Sequence, residues 1–274
     1  MKRAWLVITV LLCGASCKKD DFNINNLNGG KIIAQGHGGM GIYSTWPLDS
    51  PASILACLHS GADGSEIDVQ MTSDSVLVAY HHADLNDATD MDGPVITHTW
   101  AEVRQARFIG VTYTEHRIAR LDDLFASLSD PRRYTCTFDI KIHPSGIGDA
   151  VFMDRMADQL IRLIDRFDLT DHVHLESQQI YMLAALQARR QGLKLFYYPP
   201  DFAQGLSTAT QMGLYGLTID FNKITSEQIA EAHANNLWVA LWNVQTKGEN
   251  REAIQMNPEI IQSDRIDHLV SLLD

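Results

Sequence analysis

The chain has 274 residues, 45% of them hydrophobic and 20% charged, with a formal net charge of −12 at pH 7. That length allows one large domain or two small ones, and the composition is that of an ordinary globular protein with ample apolar material for a core. The negative balance argues against non-specific binding to nucleic acid or to an anionic membrane surface, although a bound cation can still reverse the sign locally for an anionic substrate.

Residues 1–16 read as a signal peptide: Met1-Lys2-Arg3 is a basic start, and the apolar run 4–13 falls well short of the roughly 20 residues that span a bilayer. Gly14, Ala15 and Ser16 then precede Cys17, a pattern that resembles a bacterial lipoprotein signal. That resemblance implies lipidation of Cys17 and an exported domain anchored to a bacterial membrane, periplasmic or at the cell surface. Gly14 stands where such signals most often carry leucine, and an ordinary cleaved signal peptide is the alternative. Residues 17–30 are polar, without a periodic apolar face, and read as a flexible tether to a single domain at 31–274. Cys57 and Cys136 lack metal-type spacing and read as buried small hydrophobes, with a disulfide between them as the alternative in an exported protein.

The run 31–35 predicts the first strand and 53–59 a helix closed by Gly61. Residues 62–71 predict the second strand. The apolar run 75–81 follows too closely for a parallel crossover, which needs about a dozen residues, so it is expected as an antiparallel hairpin partner. Residues 83–119 are polar and irregular, with one helical piece at 100–106, and read as an insertion over one end of the domain. Helices are then predicted at 121–128, 149–166, 178–191, 202–212, 226–235 and 251–256, with a last one ending at 273; strands are predicted at 135–142, 172–176, 193–198, 216–220, 237–244 and 259–263. Without the hairpin strand this alternation predicts a (β/α)8 TIM barrel carrying a hairpin strand and a small insertion after the second strand; a doubly wound open sheet is the competing architecture.

Barrel enzymes place their chemistry at the C-terminal ends of the strands. Those ends read His37, Glu66 with Asp68, His81 on the hairpin, Asp139 with Lys141, Glu176, Tyr198, Asp220, Trp242 and Asp264. Residues two apart in a strand share a face, so Glu66 and Asp68 point together, as do Asp139 and Lys141. Adjacent anions call for a cation, a shared proton or water. Glu66, Asp68 and Asp139 make an oxygen cage suited to Mg²⁺ or Ca²⁺, and Lys141 is a point charge suited to phosphate; a structural salt-bridge cluster is the alternative. His37 and His81 titrate near neutral pH, as acid–base work requires. The segment from Gly36 to Gly41 matches G-x-G-x-x-G, but no helix follows it, so it is not a dinucleotide fingerprint. Its glycines are expected to bring backbone N–H groups close to an anion.

Taken in order, GHGG at 36–39, GSEIDVQMTSDSVLVAYHH at 64–82, FDIKI at 138–142, VALWNV at 239–244 and IIQSD at 260–264 resemble the motifs of the glycerophosphodiester phosphodiesterase family. The resemblance implies a TIM barrel that cleaves a glycerophosphodiester to glycerol 3-phosphate and an alcohol. It implies that His37 and His81 are the acid–base pair, that Glu66, Asp68 and Asp139 bind the divalent metal, and that Lys141 contacts phosphate. Gly38, Glu176 and Trp242 complete the substrate-facing set, Trp242 as a wall of the pocket. The chain departs from the family at Gly38, where an arginine is usual, at His82, where an aspartate is usual, and at Asp139, where a glutamate is usual. Arg117, Arg120 and Lys223 are candidate replacements for the missing arginine. The rival readings are a lipoprotein that only binds a phosphodiester or polyol, and a phospholipase C-like or sphingomyelinase D-like diesterase acting on intact lipid.

Overall fold

A computed structural model describes residues 22–111, 115–142 and 150–274. The signal peptide and Cys17 lie outside the described residues. Among the described residues there are ten strands: β1 (Ile33–Gly36), β2 (Gly64–Met71), β3 (Leu77–Ala79), β4 (Ala119–Arg120), β5 (Cys136–Ile140), β6 (Val173–Ser177), β7 (Lys194–Tyr197), β8 (Gly216–Asp220), β9 (Trp238–Val244) and β10 (Ile260–Ser263). Eight of them run parallel in the order β1-β2-β5-β6-β7-β8-β9-β10, and β10 pairs back onto β1 to close the barrel. The structure is the expected TIM barrel, with β3 antiparallel to β2 as the short connection requires. The two-residue β4 adds a further antiparallel strand beyond β3, inside the stretch expected to be irregular.

The helices are α1 (Pro51–His59), α2 (Trp100–Val103), α3 (Leu121–Ser127), α4 (Ala150–Phe167), α5 (Ile180–Arg189), α6 (Phe202–Met212), α7 (Ser226–Ala234), α8 (Lys247–Gln255) and α9 (Ile266–Leu273). α1 begins where Ser50 accepts from the Ser53 amide and Pro51 supplies a pre-set φ. α8 begins four residues before the predicted start, because Thr246 and Glu249 form a reciprocal capping box that offsets the poor propensity of Gly248.

Strand alternation sorts the core into two. Outward residues such as Ile67, Val69, Phe138, Leu175, Leu217, Val239 and Ile261 meet the helices in one large cluster. Inside the barrel the apolar material is small, with Phe196, Ala240 and Ile260 packed near the floor beside Ile33 and Trp238. Above that floor the inward positions are polar, which is what leaves room for chemistry at the mouth. The insertion has its own apolar centre of Val78, Tyr80, Leu85, Val95, Val103, Ala106 and Ile118, and so forms a packed cap on the hairpin.

The tether expectation is corrected for its described part. From Phe22 onward the chain docks under the barrel: Phe22 and Ile24 pack on the core, Asn26 donates to Pro258 O at 2.7 Å, and the Leu27 amide donates to Glu259 Oε1 at 2.8 Å. Phe22, Ile24, Asn26 and Asn28 are half-buried while the residues between them are exposed. The alternation is that of an extended segment, and it escaped notice because asparagines supply half of the inward face. Cys57 and Cys136 are buried free thiols, as first read, and burial pushes them up to about 12 and about 11.

Candidate active site

The barrel register assembles the mouth. Asp68 lies opposite Asp139 on the neighbouring strand, and Asp139 opposite Glu176, so three acids stand abreast on β2, β5 and β6. Glu66 stands two residues below Asp68 on the same face. Glu66, Asp68 and Asp139 each offer a carboxylate oxygen, and these atoms lie within 4.8 Å of one another. Lys141, just past the end of β5, places Nζ 2.9 Å from Asp68 Oδ1 and 2.5 Å from Asp139 Oδ2.

One ammonium does not balance this many acids. Burial, then the charges of Asp68, Asp49, Asp139 and Glu176, push Glu66 well above the usual carboxylate range. Burial also pushes Asp139 up, against the pull of Lys141. Asp68 is the exception: Lys141 and His81 together outweigh its burial and hold it down at about 2. Lys141 is held firmly protonated, because Asp68 and Asp139 outweigh the cost of burying it. Three buried hard oxygen donors with uncompensated charge fit a divalent cation such as Mg²⁺ or Ca²⁺, and no thiolate stands among them to favour a softer metal.

The two histidines flank this cluster. His37 Nδ1 lies 2.8 Å from Asp264 Oδ1, and the same oxygen accepts from the Ile42 amide at 3.0 Å. This fixes the ring and leaves Nε2 for chemistry. Burial would depress His37, but the Asp264 hydrogen bond and charge, with help from Asp68, outweigh it and raise the pKa. His81 lies edge-on to His82 at 4.8 Å; burial lowers its pKa despite the upward pull of Asp68.

Two participants went unseen in the sequence. Asp264 was noted as a strand end but not as the partner of His37, which lies 227 residues away. Asp49 carries no sequence signal: it is wholly buried at φ 60°, takes the Asp68 amide on Oδ1 at 3.0 Å, and lies within hydrogen-bonding reach of the Asp68 carboxylate. Burial and the Asp68 charge push Asp49 well up, so it is the protonated member of that pair. No local pattern marks it, since the residue merely precedes the helix cap Ser50.

The substrate-facing set needs one correction. The Gly38 amide is spent on Glu66 Oε2 at 2.8 Å, so the anion its backbone approaches is the protein's own carboxylate. A Cβ at Gly38 would meet Leu48 Cδ2 at 2.8 Å, and its φ is +51°, so a side chain here needs Leu48 to move. Glu176 is in place beside Asp139, but its Oε2 is taken by Thr218 Oγ1 at 2.5 Å and Gln262 Nε2 at 3.1 Å; burial and Asp139 push it up to about 8. Trp242 packs on Tyr198 at 5.4 Å, with Nε1 buried and lacking a hydrogen-bond partner among the described residues. Arg117 is committed to Glu115 and to backbone carbonyls of the insertion, and Arg120 to Asp122. Lys223 stands at the rim, 3.9 Å from Asp220.

Comparison with known proteins gives a consistent result. A family model described as the glycerophosphoryl diester phosphodiesterase family matches residues 41–268, a range that starts just after His37 and Gly38 and contains the other site residues. A glycerophosphodiester phosphodiesterase of Caldanaerobacter subterraneus is 25% identical over 231 residues, covering 83% of this chain and 92% of that protein. Among solved structures, a putative glycerophosphoryl diester phosphodiesterase from Silicibacter pomeroyi superposes with a TM-score of 0.77 at 20% identity, covering 88% of this chain and 93% of that one. An Oleispira antarctica phosphodiesterase in complex with the product sn-glycerol-3-phosphate also superposes at 0.77, with 17% identity and coverage of 88% and 97%. The chain belongs to the glycerophosphoryl diester phosphodiesterase family, a family of phosphoric diester hydrolases.

Proposed function

We propose that this chain is a divalent-cation-dependent phosphodiesterase that cleaves a glycerophosphodiester to glycerol 3-phosphate and an alcohol. The observation that carries the reading is the mouth cluster, in which Glu66, Asp68 and Asp139 gather oxygens within 4.8 Å, with Lys141 and two histidines around them. Those three acids would hold Mg²⁺ or Ca²⁺, which when bound neutralises phosphate charge and polarises the phosphoryl group. Lys141 offers its ammonium to a phosphate oxygen. His37 takes the proton of the attacking hydroxyl, because an imidazole held by a buried carboxylate gains a proton with its charge already compensated. His81 gives a proton to the departing alcohol; the Asp68 charge beside it favours the protonated form that an acid needs, against the burial that lowers its pKa. Over the cycle the P–O bond to the alcohol breaks, a P–O bond to the oxygen of water forms, and one water proton ends on the alcohol. The product seen in the Oleispira antarctica enzyme supports this product class.

Purified protein is expected to hydrolyse deacylated phospholipid headgroups with Mg²⁺ or Ca²⁺ and to stop on chelation. His37→Ala and Glu66→Ala are each expected to lower kcat by about 10²-fold or more. Unchanged turnover in either variant sinks the mechanism. We also propose export and lipid anchoring at Cys17, supported by the sequence of residues 1–17. Cys17→Ser is expected to shift the protein from the membrane fraction to the soluble fraction; retention in the membrane counts against the anchor.

A further inference from the structure

Beside the carboxylates lies a cleft of about 260 Å³, between the loop at 44–48 and the insertion, with His81 and His82 in its lining. Both walls are built. On the loop, Ser44 Oγ donates to Trp46 O at 2.9 Å and the Ser44 amide to Gly41 O at 3.2 Å. On the insertion, the Ile109 amide donates to Ala88 O at 2.9 Å, and Thr89 and Phe108 form an antiparallel bridge. The Tyr80 hydroxyl is spent on the carbonyls of Asp84 and Leu85 at 2.9 and 3.0 Å and is not offered to the cleft, whose lining the almost wholly buried ring backs from within the cap.

The lining has a distinct chemistry. Trp46, Leu48, Tyr80, Phe108 and Ile109 supply apolar surface; the polar side chains are the two histidines and two hydroxyls, and among the described residues no carboxylate, lysine or arginine lines the cleft. In a chain of net charge −12, a pocket whose described lining carries no acid, with His81 linking it to the acids of the mouth, is informative. An ammonium entering it would be desolvated without a counter-charge, whereas an apolar body gains in proportion to the surface it buries. Trp46 and Ile109 stand 38% and 55% exposed on the two sides, which is apolar surface that an occupant would cover.

Resting on the phosphodiesterase reading and on His81 as the acid, we infer that this cleft receives the departing alcohol and selects an uncharged alcohol with an apolar or aromatic body over an amino alcohol. Aromatic faces also attract quaternary ammonium groups, so choline is the severest competitor.

The test uses the full chain with divalent metal and four diesters that share the glycerol 3-phosphoryl half and end in benzyl alcohol, hexanol, ethanolamine or choline. The benzyl and hexyl diesters are expected to exceed the other two in kcat/KM by about ten-fold or more. Phe108→Ala is expected to remove most of that advantage. Ile109→Asp, at a position exposed enough to spare the fold, is expected to shift preference toward ethanolamine. Equal rates on all four diesters, a preference for ethanolamine or choline, or variants that lower all four alike overturn the subsite and leave the phosphodiesterase reading standing. Hydrolysis of none of them overturns both.

Discussion

At the floor of the barrel Glu259 is completely buried, yet its carboxylate accepts from the Leu27 and Val239 amides at 2.8 and 2.7 Å and faces His233 Nε2 at 3.0 Å. At the mouth Glu66, Asp68, Asp139 and Glu176 are buried almost as deeply, yet they face one another with a single lysine among them. The floor acid is satisfied by two backbone amides and an imidazole and knits three segments together. The mouth acids crowd one another with too little positive charge beside them, and the upward push on Glu66, Asp139 and Glu176 is the strain that a bound cation would relieve. Even β10 shows both treatments, with Glu259 just before its first residue and Asp264 just after its last.

Paired substitutions separate the two roles. Asp264→Asn retains an oxygen for the Ile42 amide but withdraws the charge that compensates a protonated His37. It is expected to lower kcat by about 10²-fold or more while stability changes by less than about 1 kcal/mol. Glu259→Gln does the reverse: every carboxylate oxygen there already takes a backbone amide, so the new NH₂ must confront an N–H. A loss of about 2–3 kcal/mol in urea unfolding is expected, with kcat unchanged at a temperature where the variant is folded. If Asp264→Asn mainly unfolds the protein, or Glu259→Gln mainly slows turnover, the division between mouth and floor is wrong.

What could be read in one dimension follows the same division. The barrel was legible because buried parallel strands and helical stripes alternate at fixed intervals, and the five residues 72–76 between Met71 and Leu77 are too few for anything but an antiparallel hairpin. Glu66 with Asp68 and Asp139 with Lys141 were legible because period two places each pair on one face. Contacts made only by closing the barrel were not. Asp264 meets His37 because β10 returns to β1, and Asp49 meets Asp68 through a left-handed residue that no pattern announces. The docking of residues 22–30 was hidden because asparagine side chains hold the segment where apolar residues were the signal sought.

His174 sharpens the comparison from inside the floor, where the smallest effect is expected. It shares the inward face of β6 with Glu176 but sits two residues lower, its ring 5.2 Å from Phe196 and 6.1 Å from Trp238, with both nitrogens buried and lacking partners among the described residues. Burial, aided by Lys194, lowers its pKa from 6.5 to about 3. The unfolded chain therefore takes up a proton near pH 6.5 that the folded chain refuses until about pH 3. Stability is intact above the unfolded value and falls as the pH drops from 6.5 toward 3, by about 1.4 kcal/mol per unit. His174→Phe keeps an aromatic ring among aromatic rings and abolishes that titration. Relative to the parent chain, it is expected to gain about 2 kcal/mol more at pH 5 than at pH 8 in urea unfolding. A difference that is the same at both pH values would mean that His174 finds a proton partner in the folded floor, and that this end of the barrel is not the dry, neutral layer on which the charged mouth is built.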